Sequence, residues 1–262
     1  DELMMNPQRS AYDCIVLGAG PAGCAAATLV AKEGFSTLLV EREQLPREHV
    51  GESLMPESYW TFEKLGILDK LRESRFSKKV GVQFVDASGR ESKPFFFRSH
   101  HDHESSDSWH VERADFDRML FENAAEHGAE CVEQTRVLDV VFDGDRATGI
   151  RLKSDSRERE IRSRVIVDAT GQSSMIANRL GLKEMNPDLR KAGIWRHFRG
   201  GERDESGGGV KTIISHTRDK RAWFWYIPQS GDAVSIGCVG DADYLLKGRG
   251  TPAEVVAEEL AN

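Results

Sequence analysis

Six consecutive residues, Gly18-Ala19-Gly20-Pro21-Ala22-Gly23, have the types and spacing to cradle a pyrophosphate. Gly18 suits a tight turn, Gly20 lets backbone approach the phosphates, and Gly23 allows a helix to pack on the preceding strand. A helix that begins here points unpaired N–H groups and its positive dipole end at the same anion. Glu41 stands about 20 residues further on, where a carboxylate can accept hydrogen bonds from both ribose hydroxyls. Together these residues describe a site for an adenine dinucleotide, and by themselves they do not separate FAD from NAD. Glu41 disfavours a 2′-phosphate, although Arg42 beside it works the other way.

Three other groups could carry chemistry. Lys79 is a candidate amine, but beside Lys78 it reads equally well as half of a solvated charge pair. Trp223, Trp225 and Ile227 alternate along one strand face, which is the pattern of a packed core stripe, with Phe224 and Tyr226 on the other face. His100, His101 and His103 with Asp102 offer metal ligands, yet they sit on adjacent positions of a polar tract, so a solvated loop is the better reading and no metal is expected.

The elements that must position these residues follow from hydrophobic pattern. Asp13–Leu17 and Thr37–Val40 are short apolar strands around an alanine-rich helix that runs to about Glu33. Residues 52–74 read as mostly helical, residues 80–97 as a hairpin around Asp86-Ala87-Ser88-Gly89, and 113–127 as a helix stopped by Gly128. Residues 135–142, 149–153 and 158–162 form a β-meander. Arg164–Asp168 is a separate buried strand feeding Ala169-Thr170-Gly171 and a helix to about Leu180. Residues 192–239 alternate as one antiparallel sheet, and Thr251 caps a last helix.

The chain has 262 residues and a formal net charge of −7, which argues against a nucleic-acid or anionic-membrane surface. No apolar run approaches the ~18 residues of a spanning helix. The first ten residues are acidic and polar, unlike a signal peptide. Cys14, Cys24, Cys131 and Cys238 are scattered without a CxxC pair, so a reducing, cytoplasmic setting is expected.

Two later segments select the cofactor by resemblance. Residues 109–129, WHVERADFDRMLFENAAEHGA, resemble the segment of FAD-dependent aromatic hydroxylases and their relatives that brings an arginine to the flavin pyrophosphate, here Arg113. Residues 165–182, VIVDATGQSSMIANRLGL, resemble their second flavin-associated strand and turn, with Asp168 and Gly171 at the turn. Val137 matches the position whose backbone meets the adenine. Alone, Arg113 is also a helix-start charge and Asp168 a strand-end cap. Three more pieces resemble the flavin-dependent halogenases of phenols and pyrroles: HVGESLMP at 49–56, RFSKKVGVQF at 75–84, and WFWYIP at 223–228, which reproduces that branch's WxWxIP hexapeptide.

The resemblance implies an aromatic hydroxylase-type α/β fold. It comprises a Rossmann-like FAD-binding βαβ domain with an inserted β-meander, over 11–80 and 109–185, and a mostly antiparallel substrate-side sheet domain, over 81–108 and 186–262. It also implies FAD as cofactor and halogenation of an electron-rich aromatic, free or carrier-tethered, by an oxidant made from O₂ and a halide ion on reduced flavin. A separate flavin reductase would supply the electrons. Lys79 would orient the hypohalous species, and Trp223, Trp225 and Pro228 would line the space between flavin and substrate. Members of that branch are longer and carry a second flavin signature, Gly-Asp-Ala at a helix start. Here Gly231-Asp232-Ala233 sits between two strands and reads as a turn, so the second signature is expected beyond Asn262. An FAD hydroxylase, a geranylgeranyl-reductase-like enzyme and a non-catalytic flavin-binding remnant share enough of these features to stay open.

Overall fold

The structure, a computed structural model, describes residues 6–154 and 157–262, so residues 1–5 of the polar amino-terminal run lie outside the described residues. The chain opens with β1 (Ala11–Leu17), α1 (Pro21–Lys32), β2 (Thr37–Val40), α2 (Tyr59–Leu65) and α3 (Leu68–Glu73). It continues with β3 (Ser77–Val85), β4 (Phe95–Phe96), β5 (Ser108–His110), α4 (Arg113–Glu126), β6 (Glu130–Val132), β7 (Arg136–Asp143), β8 (Arg146–Ser154) and β9 (Arg157–Asp168). The remainder is α5 (Met175–Arg179), β10 (Lys191–Arg199), β11 (Val210–His216), β12 (Ala222–Pro228), β13 (Ala233–Asp241), α6 (Ala242–Leu246) and α7 (Pro252–Ala261). Among the described residues no helix is long and apolar enough to cross a membrane.

The chain divides into two compact units. Unit one takes residues through Val50, Thr61–Asp69 and Arg113–Glu184, and unit two takes Gly51–Trp60, Lys70–Glu112 and Met185–Asn262. The sequence places the boundaries at 80/81 and 108/109; the structure moves them. Residues 77–80 join unit two because β3 begins at Ser77 and pairs there with β5 and β11.

Unit one is built on a six-stranded sheet of order β6-β2-β1-β9-β8-β7. β1 and β2 are short runs with almost no polar residue because both faces are covered, as parallel strands require. Ile15, Leu17, Leu38, Val40, Val132, Ile150 and Ile161 form its core. Two sequence expectations are corrected here: the last meander strand and the strand after it are a single strand, β9, and its Arg164–Asp168 stretch is not buried, with Arg164 and Val165 exposed. Its first half pairs antiparallel with β8, from Arg157 opposite Ser154 to Arg162 opposite Gly149. Its second half runs parallel to β1, up to Asp168 opposite Leu17. The meander is therefore an extension of the dinucleotide sheet.

Unit two holds a seven-stranded sheet of order β10-β13-β12-β11-β3-β4, with β5 also on β3. The long strands pair antiparallel as expected, except that β11 runs parallel to β3. Phe224, Cys238, Leu245 and Val255 form its core, and α7 is held by a Thr251–Glu254 capping box. Gly231 takes a φ of +63° in the β12–β13 turn, which supports the turn reading of Gly231-Asp232-Ala233. Two patterns behave differently from expectation. The helix expected from residue 52 starts only after Met55, because residues 52–54 lie extended along residues 109–111. The hairpin over 80–97 shrinks to the Val85–Glu91 bridge and the two residues of β4, since Pro94 has no N–H to donate to a ladder.

Candidate functional site

In unit one, residues from the β1–α1 turn, the end of β2, the start of α4, β7 and the turn after β9 line a cavity of 660 Å³. The three glycines of the β1–α1 turn do three separate things. Gly18 has a φ of +93°, and a Cβ there would stand 2.7 Å from the Ala169 carbonyl oxygen. A Cβ on Gly23 would lie 1.8 Å from the Gly18 carbonyl oxygen, so this position is close packing of helix on turn, and Gly23 does not line the cavity. A Cβ on Gly20 would meet nothing within 4 Å: the backbone is bared to open space at the start of α1, beside Ala22. α1 carries no side-chain cap at this end, which leaves its first N–H groups to an anion.

Around the floor stands a charge network. Glu41 is 4% exposed; it accepts the Ala19 N–H at 2.9 Å, the Glu43 N–H at 3.0 Å and Arg47 Nη2 at 3.3 Å. A carboxylate offers about four acceptor positions. Glu41 therefore has room for one ribose hydroxyl, not two, and its first task is to tie the glycine turn to β2. Arg113 points Nε and Nη2 at the two oxygens of fully buried Asp117, at 2.8 and 3.0 Å, and Nη1 donates to the Val50 carbonyl. Arg47 Nη1 reaches the same carboxylate at 2.8 Å. His49 lines the cavity too, and burial, then Arg113 and Arg47, hold its imidazole below the usual value. Sequence reasoning missed Arg47, His49 and Asp117. The Arg113–Asp117 spacing of one helical turn was the available signal for the last, and His49 opens the HVGESLMP segment; Arg47 had none.

Arg42, Val137 and Gly171 line the cavity; Arg42 is mostly exposed and pairs with Glu43 at 3.2 Å. Asp168 does not line it, and its carboxylate faces the following turn. Its Oδ1 accepts the Thr170 N–H and hydroxyl at 3.1 and 2.6 Å, and its Oδ2 accepts the Ile176 N–H at 2.7 Å. Its carboxylate is spent capping the turn and α5, which in turn presents Ala169, Thr170 and Gly171 to the cavity.

In unit two the structure separates the two adjacent lysines. Lys78 is half exposed and pairs with Asp107 at 2.8 Å. Lys79 is 1% exposed, donates to the Leu54 carbonyl at 2.8 Å, and lies 3.8 Å from Met55 Sδ and 5.2 Å from the Phe97 ring centroid. No carboxylate is among those partners, and burial pulls its pKa down to about 8. A solvated pair is thus the wrong reading for Lys79. Trp225 lies flat on β13, where a Cβ at Gly237 would come within 2.2 Å of its ring, and its indole N–H donates to Ser235 Oγ at 3.1 Å. Trp223 is half-buried with its ring 6.3 Å from that of Trp225, and the Pro228 carbonyl receives a hydrogen bond from His110 Nδ1. His103 stacks on Trp60 and His100 on Phe95, with ring centroids 5.5 and 4.1 Å apart.

The FAD binding domain family matches residues 11–196. A 1H-pyrrole-2-carbonyl-[peptidyl-carrier protein] brominase of Pseudoalteromonas luteoviolacea is 32% identical over 253 residues, covering 96% of this chain and 60% of the relative. The corresponding chlorinase of Pseudomonas fluorescens is 32% identical over 248 residues, covering 87% and 55%. The solved structure of the flavin-dependent brominase Bmp2 superposes with a TM-score of 0.83 at 32% identity, covering 96% of this chain and 61% of that one. The chain spans about 60% of the length of these relatives.

Proposed function

The chain belongs to the FAD-binding domain family, in its flavin-dependent halogenase branch, and from that premise we propose that it serves an enzyme that halogenates an electron-rich aromatic ring. FAD is its cofactor, and the unit-one cavity fits the ADP half: open backbone at Gly20, an uncapped α1, one free acceptor position on Glu41, and Arg113 held by Asp117 where a pyrophosphate needs a fixed cation. Val137, Ala169 and Gly171 supply walls that approach without side-chain charge. Reduced FAD, when bound, supplies the electrons that activate O₂ in the presence of halide to give a hypohalous oxidant. The chain's own part in that step is assigned to Lys79.

The observation that carries the reading is the buried amine of Lys79 on β3, held by a carbonyl with no carboxylate partner among the described residues, in the unit that also holds the WxWxIP strand β12. With no carboxylate to quench it, such an amine can donate to a neutral oxidant, and its proton is exchangeable near neutral pH. The pyrrole carrier-protein relatives make a tethered pyrrole the first substrate class to test, ahead of a free phenol. The Gly18–Gly23 fingerprint is taken by FAD, and a separate reductase is the proposed source of electrons. Four free, buried cysteines suit a reducing, cytoplasmic setting. The test is product mass with reduced FAD, O₂ and bromide: a bromide-dependent gain that Lys79→Ala abolishes is expected. Identical product with and without bromide would overturn halogenation and leave hydroxylation or reduction.

A further inference from the structure

Two adjacent residues of unit two, Glu52 and Ser53, are tied by different routes to two adjacent residues at the end of β12, Pro228 and Gln229. In the first route, Glu52 Oε1 accepts hydrogen bonds from Gln229 Nε2 and His197 Nε2, each at 2.6 Å, while the buried Oε2 has no partner among the described residues. In the second, Ser53 Oγ stands 2.7 Å from Thr212 Oγ1, Thr212 Oγ1 stands 2.8 Å from His110 Nε2, and His110 Nδ1 stands 2.7 Å from the Pro228 carbonyl oxygen.

The direction of the second route is set by chemistry. A carbonyl can only accept, so Nδ1 carries the ring proton. His110 is fully buried; burial above all, with Lys79 and Arg203 nearby, drives its pKa down to about 3, so the ring is neutral and Nε2 is a bare acceptor. The Thr212 hydroxyl therefore donates to Nε2, and Ser53 donates to Thr212. Every hydrogen has one place. Leu54 follows directly: its N–H donates to the Trp109 carbonyl at 3.0 Å, and its own carbonyl receives Lys79 Nζ. The titratable groups that face this cluster are Glu52, His197, Glu112 (on Ser230) and Arg203, which donates to the Gln229 carbonyl and to Ser77 Oγ.

We propose that Ser53, Thr212 and His110 are positioning residues for Lys79, holding the 52–54 segment so that the Leu54 carbonyl aims its ε-amino group. The inference rests on the role given to Lys79 above. It goes further by assigning that aim to a chain of neutral side chains spread over β5, β11 and the 52–54 segment. The alternative is a staple that holds β12 and leaves the amine indifferent.

The two differ in how Lys79 titrates. Thr212→Val keeps the shape and cuts both hydroxyl links; Thr212→Ser keeps a hydroxyl. Trace labelling with acetic anhydride across a pH series, read from fragment ions that split the chain between Lys78 and Lys79, follows the Lys79 amine apart from its exposed neighbour. Thr212→Val is expected to lower its midpoint by about 0.5, roughly threefold in proton affinity, because the ammonium loses its oxygen acceptor while staying buried. Thr212→Ser is expected to restore the parent midpoint. A Thr212→Val midpoint equal to or above the parent's, or no restoration by serine, would overturn the proposal. Should Thr212→Val fail to fold, Ser53→Ala carries the same test, with an unchanged midpoint counting against it. Since labelling reads the amine and not the product, absence of bromination would sink the proposed reaction and leave this outcome readable.

Discussion

Two buried cationic arrangements in this molecule are built on opposite principles. In unit one, Arg47 and Arg113 converge on the fully buried carboxylate of Asp117. In unit two, Lys79 is as deeply buried but faces a carbonyl, a thioether and an aromatic ring. A guanidinium paired with a carboxylate stays charged at any ordinary pH, which suits a fixed anion site. An amine desolvated without a counter-charge has its titration moved to about 8, which suits proton-linked chemistry. The pairing of each cation therefore separates a permanently charged site from a titratable one.

The strongest way to break this comparison is to remove the shared carboxylate. Asp117→Ala leaves the buried Arg113 guanidinium without its carboxylate, while Arg47 keeps Glu41, and should cost about 4 kcal/mol in denaturant unfolding, with loss of FAD binding. A cost under ~1 kcal/mol would mean that the arginines were never held as a charged pair. Gly23→Ala should follow at about 3 kcal/mol, because its Cβ overlaps the Gly18 carbonyl and the turn must move.

Lys79→Met should act in the other direction. On the proposed role it abolishes the proposed halogenation, and it should stabilise the fold at pH 7 by about 2 kcal/mol, the desolvation cost less the hydrogen bond to Leu54. The sign can be checked in the parent. The folded amine releases its proton near 8 and the unfolded one near 10.5, so the unfolded chain binds more protons between those values. Lys79 therefore makes stability rise with pH across that window, and the methionine variant should lose that rise. A flat parent profile would remove the buried amine from the comparison. The smallest effect on the fold belongs to Gly20→Ala, within ~0.5 kcal/mol of parent, since its Cβ meets no atom. The same change should weaken FAD binding about tenfold, measured by fluorescence titration.

Much of unit one was legible because its chemistry is local. Gly18, Gly20 and Gly23 answer to the backbone of one βαβ unit, and their three roles could be assigned from spacing alone. The hydrogen bonds of Asp168 were not legible, because an acid at a strand end can face a ligand or cap the next turn. Only the positions of the Thr170 and Ile176 N–H groups decide between them. β9 was read as two strands because Arg162-Ser163-Arg164 is polar, whereas the backbone continues: Arg162 pairs with Gly149 on one side and Ala11 on the other. The polar cluster around Lys79 was illegible, since Ser53, His110, Thr212 and Pro228 lie in four separate segments of the chain.

By itself the amino-acid order determined the phosphate-binding turn, the strand and helix inventory and, through WxWxIP and its companions, the family. Those properties depend on φ preferences, hydrophobic period and short motifs, all of which operate within tens of residues. Only the tertiary structure decided that Lys79 is buried while Lys78 is wet, that Arg47 joins Arg113 on Asp117, and that Glu41 has one acceptor position to spare. The physical reason is common to all three. Desolvation and hydrogen-bond occupancy are set by atoms brought from distant parts of the chain, and a residue's neighbours in sequence do not reveal them.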